Sequence, residues 1–516
     1  MASSRRYFLK TLGAAGAAAS LPAHGNFFFP VTPSGAKEDL QARLAADPLR
    51  PQFHLLPARG WMNDPDGPIF WKNEYHMFFQ YNPHAAVWGD MHWAHAASPD
   101  MIHWKHLPIA LAPTPGGYDQ DGCFTGSAVD DHGTPTLIYT GVTSVPPAEA
   151  TLRDALHNFR EVQCLATSRD PRLRTWEKLR APILTAPHDP KLTGFRDPCL
   201  WRDERSWYMG IGSGRKEIGG QVLLYRSEDL RRWEYLHPLA SGKWNEKQTN
   251  NPVDSGEMWE CPDFFPLGGK HVLFYSTGGK VIWETGQLDR NELVFHPEKT
   301  GLLDYGAYYA PKSQLDAHGN RILWGWIPEA RPEAEFSAAG WAGCMSLPRV
   351  LSIGRDGGLE MRFAPATQQL RGKEFVASKK SESGTDAAAV LNAIRIPGAS
   401  FELQFQAAAN LFQLEITDGK APLVSVNYSP ERTGAECIFN SARVPLPPRE
   451  GPFSFHVFVD GSVVEACINR RIALTARVYR VPAGRLRVDI PDSSAPVISS
   501  LRCWDVKPIS PDRLTA

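Results

Sequence analysis

The chain has 516 residues, enough for two or three domains, and its 42% apolar content is that of a globular rather than a disordered protein. Its formal net charge of −1 argues against an extended basic surface, so neither nucleic acid nor an anionic membrane is expected as a partner. The 43 Gly and 43 Pro, together with 16 Trp, 25 Phe and 14 Tyr, favour turn-rich β structure. Eight scattered cysteines lack C-x-x-C and zinc spacings and are expected to be buried thiols.

The N-terminus is typical of a bacterial export signal. Ser4 to Lys10 reads S-R-R-Y-F-L-K and precedes a weakly apolar, Ala/Gly-rich run from Thr11 to Ser20. This order is similar to that of twin-arginine signals, which send folded proteins across the inner membrane. The apolar run is too short to anchor the mature protein in a bilayer. We expect residues 1–30 to hold the signal and the start of the mature chain, and the protein to act in the periplasm or outside the cell. A disordered basic start with a short helix is the alternative.

Two phrases recur within residues 50–353. Ser-x-Asp followed by Trp occurs at 98–104, 168–176 and 227–233. The other phrase joins a polar start, an apolar strand, a turn and an aromatic-rich strand, and its five copies lie at 64–83, 125–141, 196–214, 260–279 and 309–330. A repeat of roughly 50 to 70 residues with this content predicts a five-bladed β-propeller with four strands per blade. A long β-sandwich is the alternative, although it would not require this period.

The pattern changes after Arg349. The Gly-rich stretch 354–372 is predicted to be a linker. Residues 373–516 are predicted to form a β-sandwich, because apolar and polar residues alternate in short segments separated by polar turns. The expected strands are Phe401–Ala407, Phe412–Thr417, Phe453–Asp460, Ser462–Asn469, Ala473–Val478 and Arg485–Ile490. The whole chain is therefore expected to be all-β.

Three of the five hairpin copies have a carboxylate as their first or second residue. Asp64 lies in W-M-N-D-P-D-G-P, Asp197 in F-R-D-P and Glu260 in W-E-C-P. An isolated W-M-N-D-P-D-G-P would fit a surface turn, since Pro fixes φ and Gly permits positive φ. Equivalent positions on different propeller blades surround one axis, however, so three acids at the starts of three copies predict one acidic funnel.

These motifs resemble those of the β-fructofuranosidase family, glycoside hydrolase family 32, which includes invertases, exo-inulinases and levanases. The resemblance extends from about Arg50 to the C-terminal strands. It rests on R-P-Q-F-H (50–54), W-M-N-D-P-D-G-P (61–68), Q-Y-N-P (80–83), V-W-G (87–89), F-T-G-S-A (124–128), F-R-D-P (195–198), E-M-W-E-C-P-D-F (257–264), I-L-W-G-W (322–326) and G-W-A-G (340–343). Members have a five-bladed propeller followed by a β-sandwich, which agrees with the repeats counted here.

The resemblance implies a retaining hydrolase that releases fructose from the non-reducing end of sucrose or β-fructans. Asp64 would be the nucleophile, Glu260 the general acid/base and Asp197 a stabiliser of the charge that develops at C2. A retaining glycosidase needs one ionised and one protonated carboxyl group, and neighbouring Asp charges are expected to raise the pKa of Glu260. No cofactor or metal enters this chemistry.

The resemblance also implies the sugar contacts. The polar ones are Asn63, Gln80 and Arg196, and the aromatic walls are Trp61, Trp88, Phe124 and Trp326, since sugar C–H faces pack on aromatic rings. Three positions depart from the family pattern. Asp66 stands where Asn is usual, Thr125, also expected at the substrate, stands where Ser is commoner, and Lys312 stands where a neutral polar residue is frequent. These departures bear on substrate preference and leave the reaction class unchanged.

Four histidines could suggest a metal centre. They are His92, His95, His103 and His106, but no cysteine or carboxylate with fixed spacing accompanies them. We therefore expect no metal.

Two other functions stay open from the sequence: a transfructosylase that uses the same fructosyl-enzyme, and a non-catalytic fructan-binding protein, which the presence of all three acids disfavours. The sequence leaves the oligomeric state open.

Overall fold

The computed structural model describes residues 34–154, 156–187, 189–203, 206–378, 384–430, 436–447 and 450–515. The predicted export signal at residues 1–30 lies outside this part of the chain. The described chain begins with a helix, α1 (Ser34–Ala46), and continues mainly as strands and turns. None of the described helices is long and apolar enough to cross a membrane.

Five sheets succeed one another along the chain, and each begins with one copy of the repeated hairpin phrase. The first contains β1 (Gly60–Trp71), β2 (Glu74–Asn82), β3 (His92–Ser98) and β4 (Lys105–Leu111). The second contains β5 (Cys123–Asp131), β6 (Thr134–Ser144), β7 (Leu152–Arg153), β8 (Asn158–Thr167), β9 (Glu177–Lys178) and β10 (Leu184–Thr185). The third contains β11 (Leu192–Asp203), β12 (Ser206–Arg215), β13 (Gly219–Ser227) and β14 (Glu234–Ser241). The fourth contains β15 (Glu260–Leu267), β16 (Lys270–Thr277), β17 (Lys280–Leu288) and β18 (Phe295–Leu302).

The fifth sheet is interrupted by a short helix. It contains β19 (Tyr309–Leu315), β20 (Arg321–Ile327), β22 (Cys344–Met345), β23 (Arg349–Ile353) and β24 (Leu359–Phe363). Between β20 and β22 lie α2 (Glu333–Ala339) and β21 (Trp341–Ala342). The strand β21 leaves this sheet and pairs in parallel with β1, with Gly60 opposite Trp341. A segment of the fifth blade's chain is thereby attached to the first blade.

The five sheets close into a ring. The first strand of each sheet contacts the first strand of the next, in the order β1, β5, β11, β15 and β19, and β19 contacts β1 again. This arrangement confirms the predicted five-bladed β-propeller. Because the hairpin phrases begin these strands, the residues at their starts gather round the common axis.

The Ser-x-Asp phrase forms the turn after a long strand of a blade. The hydroxyls of Ser98, Ser168 and Ser227 each accept a hydrogen bond from the backbone N–H two residues later, at 3.2 Å. The Asp carboxylate in turn accepts backbone N–H groups further along, as with Asp100 and His103 at 2.8 Å. Such local bonds satisfy the turn backbone, which explains why the phrase repeats with the blades.

The prediction of a linker at residues 354–372 is wrong. Its Gly-rich start is the turn between β23 and β24, closed by a hydrogen bond from Gly354 N to Gly358 O at 2.9 Å. In β24, Leu359, Met361 and Phe363 are buried and alternate with less buried polar residues. This alternation is that of a half-buried strand, so the segment completes the fifth blade. A short 3-10 helix, Pro365–Leu370, then leads directly into the next domain.

The C-terminal domain is a sandwich of two six-stranded sheets. One sheet contains β25 (Arg371–Ser378), β27 (Ser400–Ala407), β32 (Phe453–Asp460), β33 (Val463–Ile468), β34 (Ile472–Arg477) and β36 (Ile498–Val506). The other contains β26 (Arg395–Ile396), β28 (Phe412–Thr417), β29 (Pro422–Ser429), β30 (Glu436–Phe439), β31 (Ala442–Pro445) and β35 (Leu486–Asp489), with the helix α3 (Gly384–Asn392) beside them. Each of the six predicted strands is present to within one residue at either end.

A buried polar network joins the propeller to the sandwich. His54 lies between two carboxylates of the sandwich, with Nδ1 at 2.8 Å from Asp460 and Nε2 at 2.9 Å from Glu465. Arg349, from the fifth blade, binds Asp304 at 2.9 Å and Glu465 at 2.5 Å. All five side chains are fully buried. Buried charges need such partners, so the network fixes how the two domains pack.

Candidate active site

Four of the five innermost strands contain the same local structure, in which a proline follows the residue at an irregular point of the strand pairing. These pairs are Asp64-Pro65 in β1, Asp197-Pro198 in β11, Cys261-Pro262 in β15 and Ala310-Pro311 in β19. In the last three, the residue before proline has positive φ, at 63°, 49° and 51°. The strand pairing is irregular at each of these positions. A bulge turns the side chains of two successive residues toward the propeller axis.

The expectation that the three acids occupy equivalent positions is wrong for Glu260. Asp64 and Asp197 directly precede proline, but the residue before Pro262 is Cys261, and Glu260 stands one position earlier. The positional equivalents of Glu260 are therefore Arg196 and Tyr309. The contacts follow these two sets of positions. Glu260 binds Arg196 and Tyr309, which stand one position earlier, whereas Cys261 binds the two aspartates, which directly precede proline as it does.

Asp64 is fully buried and held on both of its oxygens. The Asn63 amide donates to Oδ1 at 2.9 Å, and the Thr125 hydroxyl donates to Oδ2 at 2.6 Å. Trp61 supports Asn63 from behind, since its indole N–H donates to the Asn63 side-chain oxygen at 2.7 Å. Thr125, which replaces the commoner serine, keeps the hydroxyl that this contact needs. These bonds fix the orientation of the carboxylate.

The Cys261 thiol connects the two aspartates. Its sulfur lies 3.4 Å from Oδ2 of Asp64 and 3.4 Å from Oδ2 of Asp197. The backbone N–H of Cys261 also donates to Oδ2 of Asp197 at 3.0 Å. The sequence led us to expect a packed thiol here, and the thiol is buried but also contacts both carboxylates. Asp64 and Asp197 are thereby brought to one side of the site.

Arg196 connects the aspartate side to Glu260. Its Nη2 donates to Oε1 of Glu260 at 2.9 Å, its Nη1 donates to Glu161 at 2.8 Å, and its Nε lies 3.8 Å from Asp197. Burial alone would lower the pKa of Arg196, but Glu161, Glu260 and Asp197 together raise it well above its ordinary value. The guanidinium therefore stays charged and balances the surrounding carboxylates.

Tyr309 completes the surroundings of Glu260. Its hydroxyl donates to Oε2 of Glu260 at 2.9 Å. Burial raises the pKa of Tyr309 well above its usual value, and the neighbouring Glu260 adds to the effect. Tyr309 therefore remains a neutral phenol, which can donate a hydrogen bond to the Glu260 carboxylate or accept one from the protonated carboxyl group.

The backbone at Asp197 is strained. A φ of 63° is uncommon for a residue other than glycine, and the adjoining Pro198 restricts the residue further. Such a conformation costs about 1–3 kcal/mol. The backbone N–H of Asp197 donates to the Thr140 hydroxyl at 3.0 Å, and that hydroxyl donates to Gln163 at 3.0 Å. These bonds hold the residue in the orientation in which its carboxylate reaches Cys261.

The predicted aromatic walls fall into two groups. Trp61 and Trp326 are buried and pack edge to face, with ring centroids 5.9 Å apart. Trp88 is only partly buried and lies 5.9 Å from Phe124. His157 extends this second group, since its ring lies 5.2 Å from that of Trp88. Direct contact of Trp61 and Trp326 with a sugar stays a prediction. Trp88 has exposed surface that a sugar could contact.

The other sequence-predicted positions lie just outside the acids. The Gln80 amide donates to Asp66 at 3.0 Å and to the carbonyl of Cys123 at 2.8 Å. Lys312 is buried, and its Nζ donates to the carbonyls of Pro262 at 2.9 Å and Pro198 at 3.4 Å. Both prolines lie shortly after predicted catalytic acids, so this unusual lysine supports the backbone beneath them.

The four histidines of the possible metal centre do not come together. His92 lies beside His84, with ring centroids 5.9 Å apart, and near Asp90. His95 stacks on Phe78 with centroids 4.2 Å apart and pairs with His76 at 2.9 Å. His103 binds Asp100 at 2.8 Å in the turn after β3. Burial lowers the pKa of His106 to about 4, so that histidine is a neutral part of the interior.

Sequence reasoning missed two residues of the site. Tyr309 opens the fifth hairpin copy as Y-A-P, and alignment with E-C-P on its proline would have placed it beside Glu260. Glu161 lies on β8 and receives hydrogen bonds from Arg196, from Thr151 at 2.9 Å and from the Phe195 N–H at 2.7 Å. No local signal identifies Glu161, because its importance depends on a contact between blades.

Comparisons with known proteins agree with this architecture. Residues 54–365 match the glycosyl hydrolases family 32 N-terminal domain, and residues 367–505 match the glycosyl hydrolases family 32 C-terminal domain. A sucrose-6-phosphate hydrolase of Escherichia coli is 37% identical over 467 residues, covering 84% of this chain and 90% of that protein. Two solved structures are similar as well. A Bombyx mori β-fructofuranosidase has a TM-score of 0.72 at 28% identity, covering 92% of this chain and 99% of that one. Fructan 1-exohydrolase IIa from Cichorium intybus has a TM-score of 0.73 at 25% identity, covering 89% and 98%.

The matches span both domains and include the strands that carry the three acids. The resemblance stated from the motifs is therefore confirmed, together with the reaction class it implied, a retaining hydrolysis of β-fructofuranosyl bonds. The chain belongs to glycosyl hydrolases family 32 and is a β-fructofuranosidase-class enzyme.

Proposed function

We propose that the enzyme removes the terminal β-fructofuranosyl unit of sucrose and β-fructans, with Asp64 as nucleophile, Glu260 as acid/base and Asp197 as stabiliser. The observation that carries this proposal is the connection of the three acids through Cys261 and Arg196 at one end of the propeller axis. A neutral sugar fits a chain whose formal net charge is −1. The similarity to a sucrose-6-phosphate hydrolase and to a fructan exohydrolase supports a substrate with a terminal fructosyl unit.

In the first step, an oxygen of Asp64 forms a bond to C2 of the fructosyl unit while the bond from C2 to the leaving oxygen breaks. Glu260 gives its proton to that oxygen, so the departing sugar leaves as an alcohol. Arg196 and Tyr309 stabilise the carboxylate that Glu260 becomes, since both donate to it. Asn63 and Thr125 keep Asp64 oriented for the attack.

In the second step, the oxygen of a water molecule bonds to C2 and the ester bond to Asp64 breaks. Glu260 takes the proton of this water and returns to its starting state. Asp197 stays ionised throughout and binds hydroxyl groups of the fructosyl ring as positive charge develops at C2 in both transition states. The contact of Asp197 with the Cys261 N–H keeps its carboxylate directed toward the site.

A substrate panel tests this proposal. Sucrose, sucrose 6-phosphate, inulin and levan are incubated with the purified enzyme, and fructose, glucose and transfer products are quantified over time. Asp64→Asn is the matched control, because it preserves shape and removes the nucleophile. We expect fructose release from sucrose and fructans that depends on Asp64. Activity confined to sucrose 6-phosphate would contradict the neutral substrate, and transfer products in excess of free fructose would favour the transfructosylase alternative.

We also propose that the protein is exported through the twin-arginine route and acts in the periplasm or outside the cell. The support is the S-R-R-Y-F-L-K segment at residues 4–10 and the weakly apolar run after it. A folded precursor suits that route, since a propeller closed by β21 pairing with the distant β1 forms only when the whole domain is present.

A further inference from the structure

The loop between β2 and β3 carries two histidines and an aspartate at its ends. His84 and Asp90 are exposed, and His92 is the buried first residue of β3. Nε2 of His84 lies 3.1 Å from Oδ2 of Asp90. One ligand atom of each of the three residues lies within 4.8 Å of the other two. We propose that His84, Asp90 and His92 form a binding site for a divalent transition-metal ion such as Zn²⁺.

The ligand types fit such an ion. Two imidazoles and one carboxylate are borderline donors that suit Zn²⁺, Ni²⁺ or Cu²⁺, whereas Mg²⁺ and Ca²⁺ prefer sites made of oxygen atoms. Zn²⁺ bonds to nitrogen and oxygen are roughly 2.0–2.2 Å long, so the ligand atoms need to move inward only slightly. The exposed side chains of His84 and Asp90 are free to make that movement. A water molecule would supply the remaining position.

The placement of the His92 ring favours binding. Its ring centroid lies 5.9 Å from that of His84, and its Nδ1 lies 4.0 Å from Oδ1 of Asp90. Because Nδ1 is used in a hydrogen bond to the backbone, Nε2 is the nitrogen that would bind the metal. Nδ1 of His92 donates to the Asp90 carbonyl oxygen at 2.7 Å, which fixes the ring beside the other two ligands.

The loop backbone is already ordered for this purpose. The Asn82 side chain accepts hydrogen bonds from the N–H of His84 at 2.9 Å and of Ala85 at 3.3 Å, and it donates to the Val87 carbonyl at 2.9 Å. These bonds hold the first half of the loop to the end of β2. A metal ion would join the first residues of the loop to its last residues. Because the loop is already held in place, it would lose little conformational entropy when the metal binds.

The location connects the proposed site to catalysis. Trp88 lies between the ligands along the loop, and its ring lies 5.9 Å from that of Phe124 and 5.2 Å from that of His157. Phe124 directly precedes Thr125, whose hydroxyl binds Asp64. A metal ion that restrains both ends of the loop would restrict the movement of Trp88. Since Trp88 is a proposed sugar contact and is no part of the acid machinery, metal binding should change KM for sucrose more than kcat. This part of the inference rests on the proposed function, but binding of the metal does not.

Binding is tested by equilibrium dialysis and titration calorimetry of the untagged, metal-stripped protein with Zn²⁺. We expect one equivalent to bind, and His84→Ala and Asp90→Asn each to weaken binding at least ~10-fold, since even the loss of a residue that only supports a ligand costs roughly 10–100-fold in affinity. His132→Ala is the matched control, because His132 is exposed in the turn between β5 and β6, and it should bind as the unmodified protein does. Circular dichroism confirms that each variant is folded.

The outcomes separate the two levels of the inference. Absence of Zn²⁺ binding, binding unchanged by both substitutions, or equally tight binding of Ca²⁺ would overturn the site. Binding that depends on His84 and Asp90 but leaves KM for sucrose unchanged would support the site and refute its connection to Trp88. An enzyme inactive on sucrose would contradict the proposed function, while the calorimetric result would still decide whether the metal site exists.

Discussion

Arg196 donates two hydrogen bonds to the same oxygen of Glu260, from Nε at 3.2 Å and from Nη2 at 2.9 Å. Both side chains are buried, and the third guanidinium nitrogen binds Glu161 at 2.8 Å. This bridge joins the second, third and fourth blades at the site, because Glu161, Arg196 and Glu260 lie in β8, β11 and β15. The position of the proposed acid/base therefore depends on an interaction between blades.

The first prediction concerns this bridge. Arg196→Lys keeps the charge but loses the planar group that reaches Glu161 and Glu260 together. We expect kcat on sucrose to fall by about 10², the lower end of the range for general acid–base catalysis, because Glu260 loses its orientation. Arg226→Lys is the control, since Arg226 forms an exposed pair with Glu234. Unchanged kcat in Arg196→Lys would show that the bridge has no role in orienting Glu260.

The second prediction concerns Asp64. Asp64→Asn should lower kcat by at least ~10³, as expected when a member of the catalytic machinery is lost, and leave a folded protein. Steady-state kinetics on sucrose measure kcat, and circular dichroism checks that the variant is folded. Mass spectrometry with a slowly hydrolysed fructoside tests for the covalent intermediate. A fructosyl group covalently attached to Asp64 in the unmodified enzyme is expected. A variant that keeps a tenth of normal turnover would rule out Asp64 as nucleophile.

The third prediction separates Glu260 from Asp197. A fructoside with an acidic phenol leaving group needs little protonation, so Glu260→Ala should still form the fructosyl-enzyme from it. The intermediate then lacks a base for water, and azide, which needs no base, should restore turnover. Asp197→Ala loses charge stabilisation in both steps, so neither the phenol substrate nor azide should rescue it. Rescue of Asp197→Ala with none for Glu260→Ala would show that the two roles are interchanged.

The fourth prediction concerns the domain interface and pH. Burial alone would lower the pKa of His54, but Asp460 and Glu465 together raise it to about 9. A histidine in the unfolded chain titrates near ~6.5, so the stabilisation by protonated His54 is complete below that pH and is lost as pH rises through about 9. The raised pKa corresponds to about 3 kcal/mol of unfolding free energy.

Chemical unfolding of the protein and of His54→Gln at pH 6, 8 and 9.5 measures this effect. The difference in unfolding free energy between the two should shrink as the pH increases. His103→Gln is the control, because His103 is an exposed histidine paired with Asp100 in a surface turn. A difference that stays constant from pH 6 to 9.5 would contradict a protonated His54 at the interface.

The fifth prediction concerns export. Replacing Arg5 and Arg6 together by Lys keeps the charge but removes the arginine pair that defines the signal. We expect the precursor to stay in the cytoplasm of a host that has the twin-arginine system, as measured by cell fractionation. Lys10→Arg keeps both arginines and should be exported normally. Normal export of the double substitution would remove the proposal.

The sequence alone determined the fold class. The repeated hairpin phrase predicted five blades, and the alternation of apolar residues predicted six sandwich strands to within one residue. These features could be predicted because turn chemistry and strand periodicity are local properties of the chain. The same alternation was present in Leu359–Phe363, but the glycines before it favoured a linker, and only the pairing with β23 assigned it to the fifth blade.

The sequence also identified the three acids, whereas the tertiary structure decided what each of them touches. Asp64 and Cys261 are 197 residues apart along the chain, and Glu260 and Tyr309 are 49 apart. Such contacts depend on how neighbouring blades are staggered and on the bulge that turns residues before proline toward the axis. A one-residue offset in β15 thereby placed Glu260 beside Arg196 and Tyr309 instead of beside the aspartates. The offset can be read from E-C-P against D-P, but which side chains it brings together is decided only when the ring of blades closes, because the partners lie on different blades.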